Sequence, residues 1–122
     1  MTLRLMCGAV LVTLTVGCSS NSNATAPSTS NTSPGGPSVS IVAGAFALTT
    51  TAYSPNPQTI SRGSTVTFIN NDTAVHTATS GGTFDTGTIS PGGRASVTLQ
   101  NAGSITYHCT IHPGMVGTLI VQ

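Results

Sequence analysis

An all-β domain, folded as a Greek-key β-sandwich of about seven or eight short strands, is the architecture this sequence predicts. Three observations predict it. The 122 residues include no lysine and no glutamate, so good helix formers are scarce, while threonine, serine and glycine abound. Fourteen glycines and seven prolines break the chain into short runs. Within those runs, apolar residues alternate with polar ones at the period of a strand that buries one face.

The first seventeen residues read as an export signal rather than part of the fold. Arg4 gives a short positive start, and Leu5 to Val16 is an apolar run too short to cross a bilayer. The run ends at Cys18, and Leu14-Thr15-Val16-Gly17-Cys18 resembles the lipobox of bacterial lipoproteins. The resemblance implies cleavage before Cys18, lipid on its thiol, and a domain anchored on the periplasmic or cell-surface side of a membrane. Two or more acyl chains hold a protein there stably, whereas one does not. Residues 18–38 are almost all Ser, Asn, Thr, Ala, Pro and Gly, a composition that forms a disordered tether. The folded domain is expected over residues 39–122.

Val39 to Leu48 reads as a first strand, interrupted by Gly44. Tyr53 to Pro57 cannot be helical, because each proline removes a donor and pushes its predecessor to extended geometry. Gln58 to Ser61 and Ser64 to Ile69 flank Arg62-Gly63 as in a hairpin, with Val66 and Phe68 on a core face. Asn70-Asn71-Asp72 forms a turn into another strand, Ala74 to Thr79, which carries His76 near its start. Gly81-Gly82 and Pro91-Gly92-Gly93 bracket an irregular connection held at Phe84 and Ile89. Ala95, Val97 and Leu99 then alternate with Ser96 and Thr98. After Asn101-Ala102-Gly103, the run Ser104 to Cys109 turns Ile105, Tyr107 and Cys109 inward and His108 outward. Gly117 to Val121 is the last strand.

Beyond the signal, Arg62 and Arg94 balance Asp72 and Asp85. A near-neutral domain has no basis for nucleic-acid binding or long-range steering, so recognition must rest on apolar contact.

The cysteines point to chemistry. Cys7 leaves with the signal and Cys18 is consumed by lipid, so Cys109 stands alone in an oxidising compartment, where a spare thiol needs a function or a metal to protect it. It opens the spacing Cys109-x-x-His112-x-x-Met115. A thiolate, two imidazoles and a weak thioether are the ligand set of a blue-copper electron-transfer site; this loop supplies three of the four, and His76 is the upstream candidate for the fourth. Each residue alone would be ordinary: a polar strand histidine, a core methionine, a small buried cysteine. Their conjunction indicates a metal, and an axial thioether suits copper better than zinc.

His76, taken with Tyr107-His108-Cys109-Thr110-Ile111-His112-Pro113-Gly114-Met115-Val116-Gly117, resembles the ligand pattern of small cupredoxins of the plastocyanin, amicyanin and pseudoazurin type. Ser54-Pro55-Asn56-Pro57, the turn before His76 and Pro91-Gly92 extend the likeness over nearly all of residues 39–122, and the short ligand loop is most similar to amicyanin. The resemblance implies one copper ion, cycling between Cu(I) and Cu(II), that passes single electrons between redox partners without enzymatic turnover. It also implies that the backbone amide after the upstream histidine, here that of Thr77, bonds the thiolate. His112 would be the electron port, in an apolar patch built by Pro113, Gly114, Met115 and the Pro55 to Pro57 loop, where a partner docks weakly; a monomer is expected. Two other readings compete. A copper-delivery module tends to use exposed Met or His clusters, and both other methionines of this chain, Met1 and Met6, lie in the signal. A nitrite-reductase-like enzyme would use His108 for a second, catalytic copper, for which three histidines leave too few ligands.

Overall fold

Period-two alternation determines both where strands form and which residues they bury. A computed structural model describes residues 35–122, and nine strands occupy them. The export signal, Cys18 and most of the tether lie outside the described residues. In chain order the strands are β1 (Ser38–Ile41), β2 (Tyr53–Ser54), β3 (Gln58–Ile60), β4 (Thr65–Asn70), β5 (Thr79–Ser80), β6 (Phe84–Asp85), β7 (Arg94–Thr98), β8 (Gly103–His108) and β9 (Val116–Val121). They form two sheets, ordered β2-β1-β4-β7 and β3-β9-β8-β5-β6. The all-β class is as the sequence predicts. The count exceeds seven or eight because β2, β5 and β6 are two-residue ladders, too short to show a periodicity.

Each sheet turns alternate residues onto a shared core. Val39, Ile41, Val66 and Phe68 come from the first sheet, and Ile60, Tyr107, Leu119 and Val121 from the second. Ala95 and Val97 of β7 and Ile105 of β8 pack against that core as expected. Tyr53, Phe68 and Tyr107 meet edge to face, with ring centroids 4.8 to 6.4 Å apart, the arrangement that aromatic quadrupoles favour.

Three local readings of the sequence are corrected. The first strand stops at Ile41, because Gly44 takes a left-handed conformation, φ 75°, and opens a single 3-10 turn over Ala45–Ala47. The segments around Arg62-Gly63 are not a hairpin. β3 pairs in parallel with β9 while β4 pairs with β1 and β7, so the turn carries the chain from one sheet to the other. Its amides bond both layers: Arg62 N–H donates to Gln122 O, and Gly63 N–H to Leu99 O. Finally, Ala74 to Thr79 is not a continuous strand. His76 makes only an isolated antiparallel bridge with Ile89, and regular pairing begins at Thr79. The donors between are engaged elsewhere, Thr77 N–H on the sulfur of Cys109 and Ala78 N–H on Thr86 Oγ1. The connection after it holds a short β5–β6 hairpin, with Ser80 opposite Phe84, and Ile89 is buried as foreseen.

One glycine is dictated by packing. Tyr107 lies directly across the β8–β9 ladder from Gly117, and its ring covers the position a side chain would take: a Cβ on Gly117 would run into Tyr107 Cζ and its hydroxyl. Gly117→Ala should therefore destabilise the domain by about 1–3 kcal/mol, as overpacking of a core does. At this domain size that is a drop in Tm of roughly 4–8 °C for each kcal/mol, measurable by calorimetry.

Candidate metal centre

Two segments build the centre. The first is the turn Asn70 to His76, held by Asn70, whose amide Nδ2 donates to Ala74 O and Ile89 O at 2.8 Å each while its Oδ1 accepts from Asp72 N–H at 2.9 Å. His76 is fixed at its backbone by reciprocal bonds with Ile89. The second is the loop after β8. Cys109 N–H donates to Met115 O at 3.1 Å and Met115 N–H to His112 O at 2.9 Å, so the loop closes on itself through its own backbone.

Thr77 locks the segments together. Its N–H donates to Cys109 Sγ at 3.3 Å, the bond expected of the amide after the upstream histidine. Its carbonyl accepts from the Tyr53 hydroxyl at 2.6 Å. Its own hydroxyl accepts from Thr110 N–H at 2.9 Å, so the side chain ties the two loops as well. Burial pushes the Tyr53 phenol well above its ordinary range, with the Cys109 and Tyr107 sites adding to the effect, so Tyr53 serves as a neutral donor.

The closure brings three ligand-type side chains to one point. His76 Nδ1 lies 3.8 Å from Cys109 Sγ, His112 Nδ1 lies 3.9 Å from it, and the two nitrogens are 3.2 Å apart. Two imidazole nitrogens at about 2.0 Å and a sulfur at about 2.3 Å from one ion, at angles of roughly 100–130°, would stand about 3.1–3.6 Å apart and about 3.3–3.9 Å from the sulfur. The observed triangle fits a single metal ion. Met115 ends the same loop and is fully buried, as are His76 and Cys109; His112 is half-buried. A trigonal His₂Cys group with a nearby thioether is the donor set of a blue-copper site.

The remaining candidates separate from this group. His108 ends β8 on the face opposite Tyr107 and is not in the metal-holding group found among the described residues. Met115 is buried, so it cannot belong to an apolar surface patch; strand-end loops place its side chain in the core instead. Among the described residues the large exposed apolar side chains are Phe46, Val75, Ile111 and, on β9, Ile120. Val75 and Ile111 directly precede His76 and His112, and the Phe46 ring lies 6.3 Å from the His112 ring. Phe46 escaped notice in the sequence because its segment reads as a strand. Asp72 was also missed as more than a turn residue: its Oδ2 stands 2.7 Å from His76 Nε2. The spacing of four between Asp72 and His76 was its only signal. Burial pushes the Asp72 carboxyl up, but bonds from His76, Gly44 and Thr73 outweigh this and hold it down at about 2.

Comparison with known proteins agrees with this geometry. The model for the plastocyanin/azurin family of copper binding proteins matches residues 42–122. Among solved structures, the chain is similar to a purple cupredoxin from Nitrosopumilus maritimus at 28% identity and TM-score 0.66, covering 70% of this chain and 99% of that one. It is also similar to a reduced Cu(I) form of an amicyanin variant at pH 4, with 26% identity, TM-score 0.60, and 72% and 83% of the two chains covered. A second reduced amicyanin variant gives 26% identity and TM-score 0.62 over 74% and 85%. No curated protein matches.

The role of Thr77 generates a direct test. Thr77→Val keeps the shape but leaves the Thr110 amide without its acceptor, which should lower stability by about 1–3 kcal/mol. The denaturant midpoint should fall with the slope of the transition unchanged.

Proposed function

The chain belongs to the plastocyanin/azurin family of copper binding proteins, and from that membership we propose that it is a type 1 (blue) copper electron carrier. The reading assigns His76 Nδ1, His112 Nδ1 and Cys109 Sγ as the strong ligands and the Met115 thioether as the weak axial one. The observation that carries it is the triangle of 3.2, 3.8 and 3.9 Å formed by residues 36 and fewer positions apart on two separately braced loops. When bound, the ion supplies a one-electron couple between Cu(I) and Cu(II). The protein's part is to keep the ligands still. Thr77 fixes the sulfur, Ile89 fixes the backbone of His76, and the Cys109–Met115 ring fixes the remaining loop, so little has to move when the charge at the site changes.

His112 is the proposed exit for the electron. It is half-buried, whereas His76 and Cys109 are sealed from water, and the exposed Phe46 and Ile111 flank it by ring contact and by sequence. This supports weak docking of a redox partner through an apolar contact, by a monomer with almost no net charge. We place the domain outside the cytoplasmic membrane, tethered through lipid on Cys18; the support is the apolar run after Arg4 and the Gly17-Cys18 junction. A delivery function fits less well, since ligands that are fully buried are poorly placed to hand over metal.

Copper-loaded protein should show an intense visible thiolate-to-copper band that vanishes in Cys109→Ser. A band that persists in that variant, or none in the parent protein, rules out the assignment. Copper at a thousandfold excess over its Kd should also raise unfolding stability by about 4 kcal/mol, read as an upward Tm shift against chelator-treated protein. Metal that is lost readily to a chelator, with no reversible redox cycle, would favour delivery instead.

A further inference from the structure

A buried carboxylate stands behind one of the two imidazoles. Asp72 is 4% exposed, and its two oxygens have different occupations. Oδ1 accepts from the backbone amides of Gly44 at 2.9 Å and Thr73 at 2.7 Å. Oδ2 faces His76 Nε2 at 2.7 Å. An ionised carboxylate only accepts, so the ring nitrogen that faces it must carry the hydrogen. In the neutral ring, which is the form that can ligate, the other nitrogen, Nδ1, then keeps its lone pair, and this is the one that faces Cys109 Sγ and His112 Nδ1.

We propose that Asp72 is a positioning residue for the metal: it holds His76 in the tautomer whose Nδ1 can bind the ion, and its charge makes that imidazole a stronger donor. The inference rests on the copper-site reading above. Oδ2 is not needed to shape the turn, because Asn70 already braces it through Ala74, Ile89 and the Asp72 amide. Nor does it fix the backbone of His76, which Ile89 holds. The ring is what remains for it to act on. Carboxylates that bond a ligating imidazole orient the ring and raise its basicity. Negative charge beside the site also favours Cu(II) over Cu(I), so Asp72 lowers the reduction potential.

Asp72→Asn discriminates this role from a structural one. The amide matches the carboxylate in shape, and its oxygen is claimed by the Gly44 and Thr73 amides, so its NH₂ must face His76 Nε2. That nitrogen then has to accept, which puts the ring hydrogen on Nδ1 and closes the ligand position.

The test compares the full chain with its D72N variant by three readouts: ¹⁵N NMR of the His76 ring in copper-free protein, Cu(II) and Cu(I) affinities by chelator competition, and the reduction potential. In the parent chain His76 should carry its hydrogen on Nε2. In D72N the hydrogen should move to Nδ1 and Cu(II) affinity should fall 10–100-fold. If Cu(II) loses tenfold more affinity than Cu(I), the potential rises by about 59 mV. A D72N protein with the parental tautomer, affinities and potential, and only a lower Tm, overturns the proposal. So does a parent chain whose His76 carries its hydrogen on Nδ1, a result that needs no variant to fold. Failure of the copper reading is separately visible, as a parent protein that gives no thiolate-to-copper band whatever its His76 tautomer.

Discussion

The structure depends on holding the peptide at Thr77 from three directions at once. Its N–H points at the Cys109 sulfur, its carbonyl receives the Tyr53 hydroxyl, and its side-chain oxygen receives the Thr110 amide. Those three partners belong to separate parts of the chain: β2, the end of β8 and the loop beyond it. No regular ladder could satisfy them together, which is why the chain from His76 to Ala78 leaves strand geometry just where the ligands converge. A buried N–H spent on sulfur is a weaker bond than one spent on a carbonyl. The loss is offset because the same peptide fixes the distance between two loops that share no ladder contact.

Much of this could be read from the sequence, and the part that could not has a common cause. The alternation at Ala95, Val97 and Leu99, and at Ile105, Tyr107 and Cys109, gave strands with the correct inward faces, because a face is a local property of period two. The ligand loop was legible for the same reason: three of its members lie within one short segment, where spacing stands in for distance. Arg62-Gly63 was misread as a hairpin because a turn looks the same whether it joins neighbours in one sheet or crosses between two; only the partners, Gln122 and Leu99, decide it, and they lie at the far end of the chain and past β7. His76 could be named but not placed, since the bridge to Ile89 is non-local. Asp72 sat in plain view as a turn residue. Nothing local distinguishes an Asp that caps a turn from one whose second oxygen reaches an imidazole.

The core beneath the site explains how so small a domain keeps it rigid. Tyr53, Phe68, Phe84 and Tyr107 form one aromatic cluster that spans both sheets. Tyr53 belongs to that cluster by its ring and to the metal centre by its hydroxyl, so packing in the core is transmitted to the Thr77 carbonyl through a single rigid side chain. Tyr107 adjoins Cys109 in the same way, two residues upstream on β8. Its hydroxyl is buried without a hydrogen-bond partner, a penalty accepted where Gly117 makes room for the whole ring. The aromatic area buried there outweighs one unsatisfied hydroxyl, given that such a ring removes well over a hundred square ångströms from water, about 150 Å² or more.

The two imidazoles of the centre differ in what surrounds them, and this difference gives the site a direction. His76 is sealed from solvent, bonded at its far nitrogen to a buried carboxylate, and fixed at its backbone on both sides. His112 is half-exposed, held only through its loop, and lies beside the exposed ring of Phe46. In the proposed reading, an electron leaving through His76 would have to cross the turn and the charge of Asp72, whereas His112 lies beside the exposed apolar side chains of Phe46 and Ile111. In the electron-carrier reading proposed above, rigidity and access are thus divided between two chemically identical ligands: one would set the electronic character of the site from inside, and the other would connect it to the outside. A single histidine could not serve both ends, because the bonds that tune a ring through its second nitrogen are the same ones that would block a partner's approach.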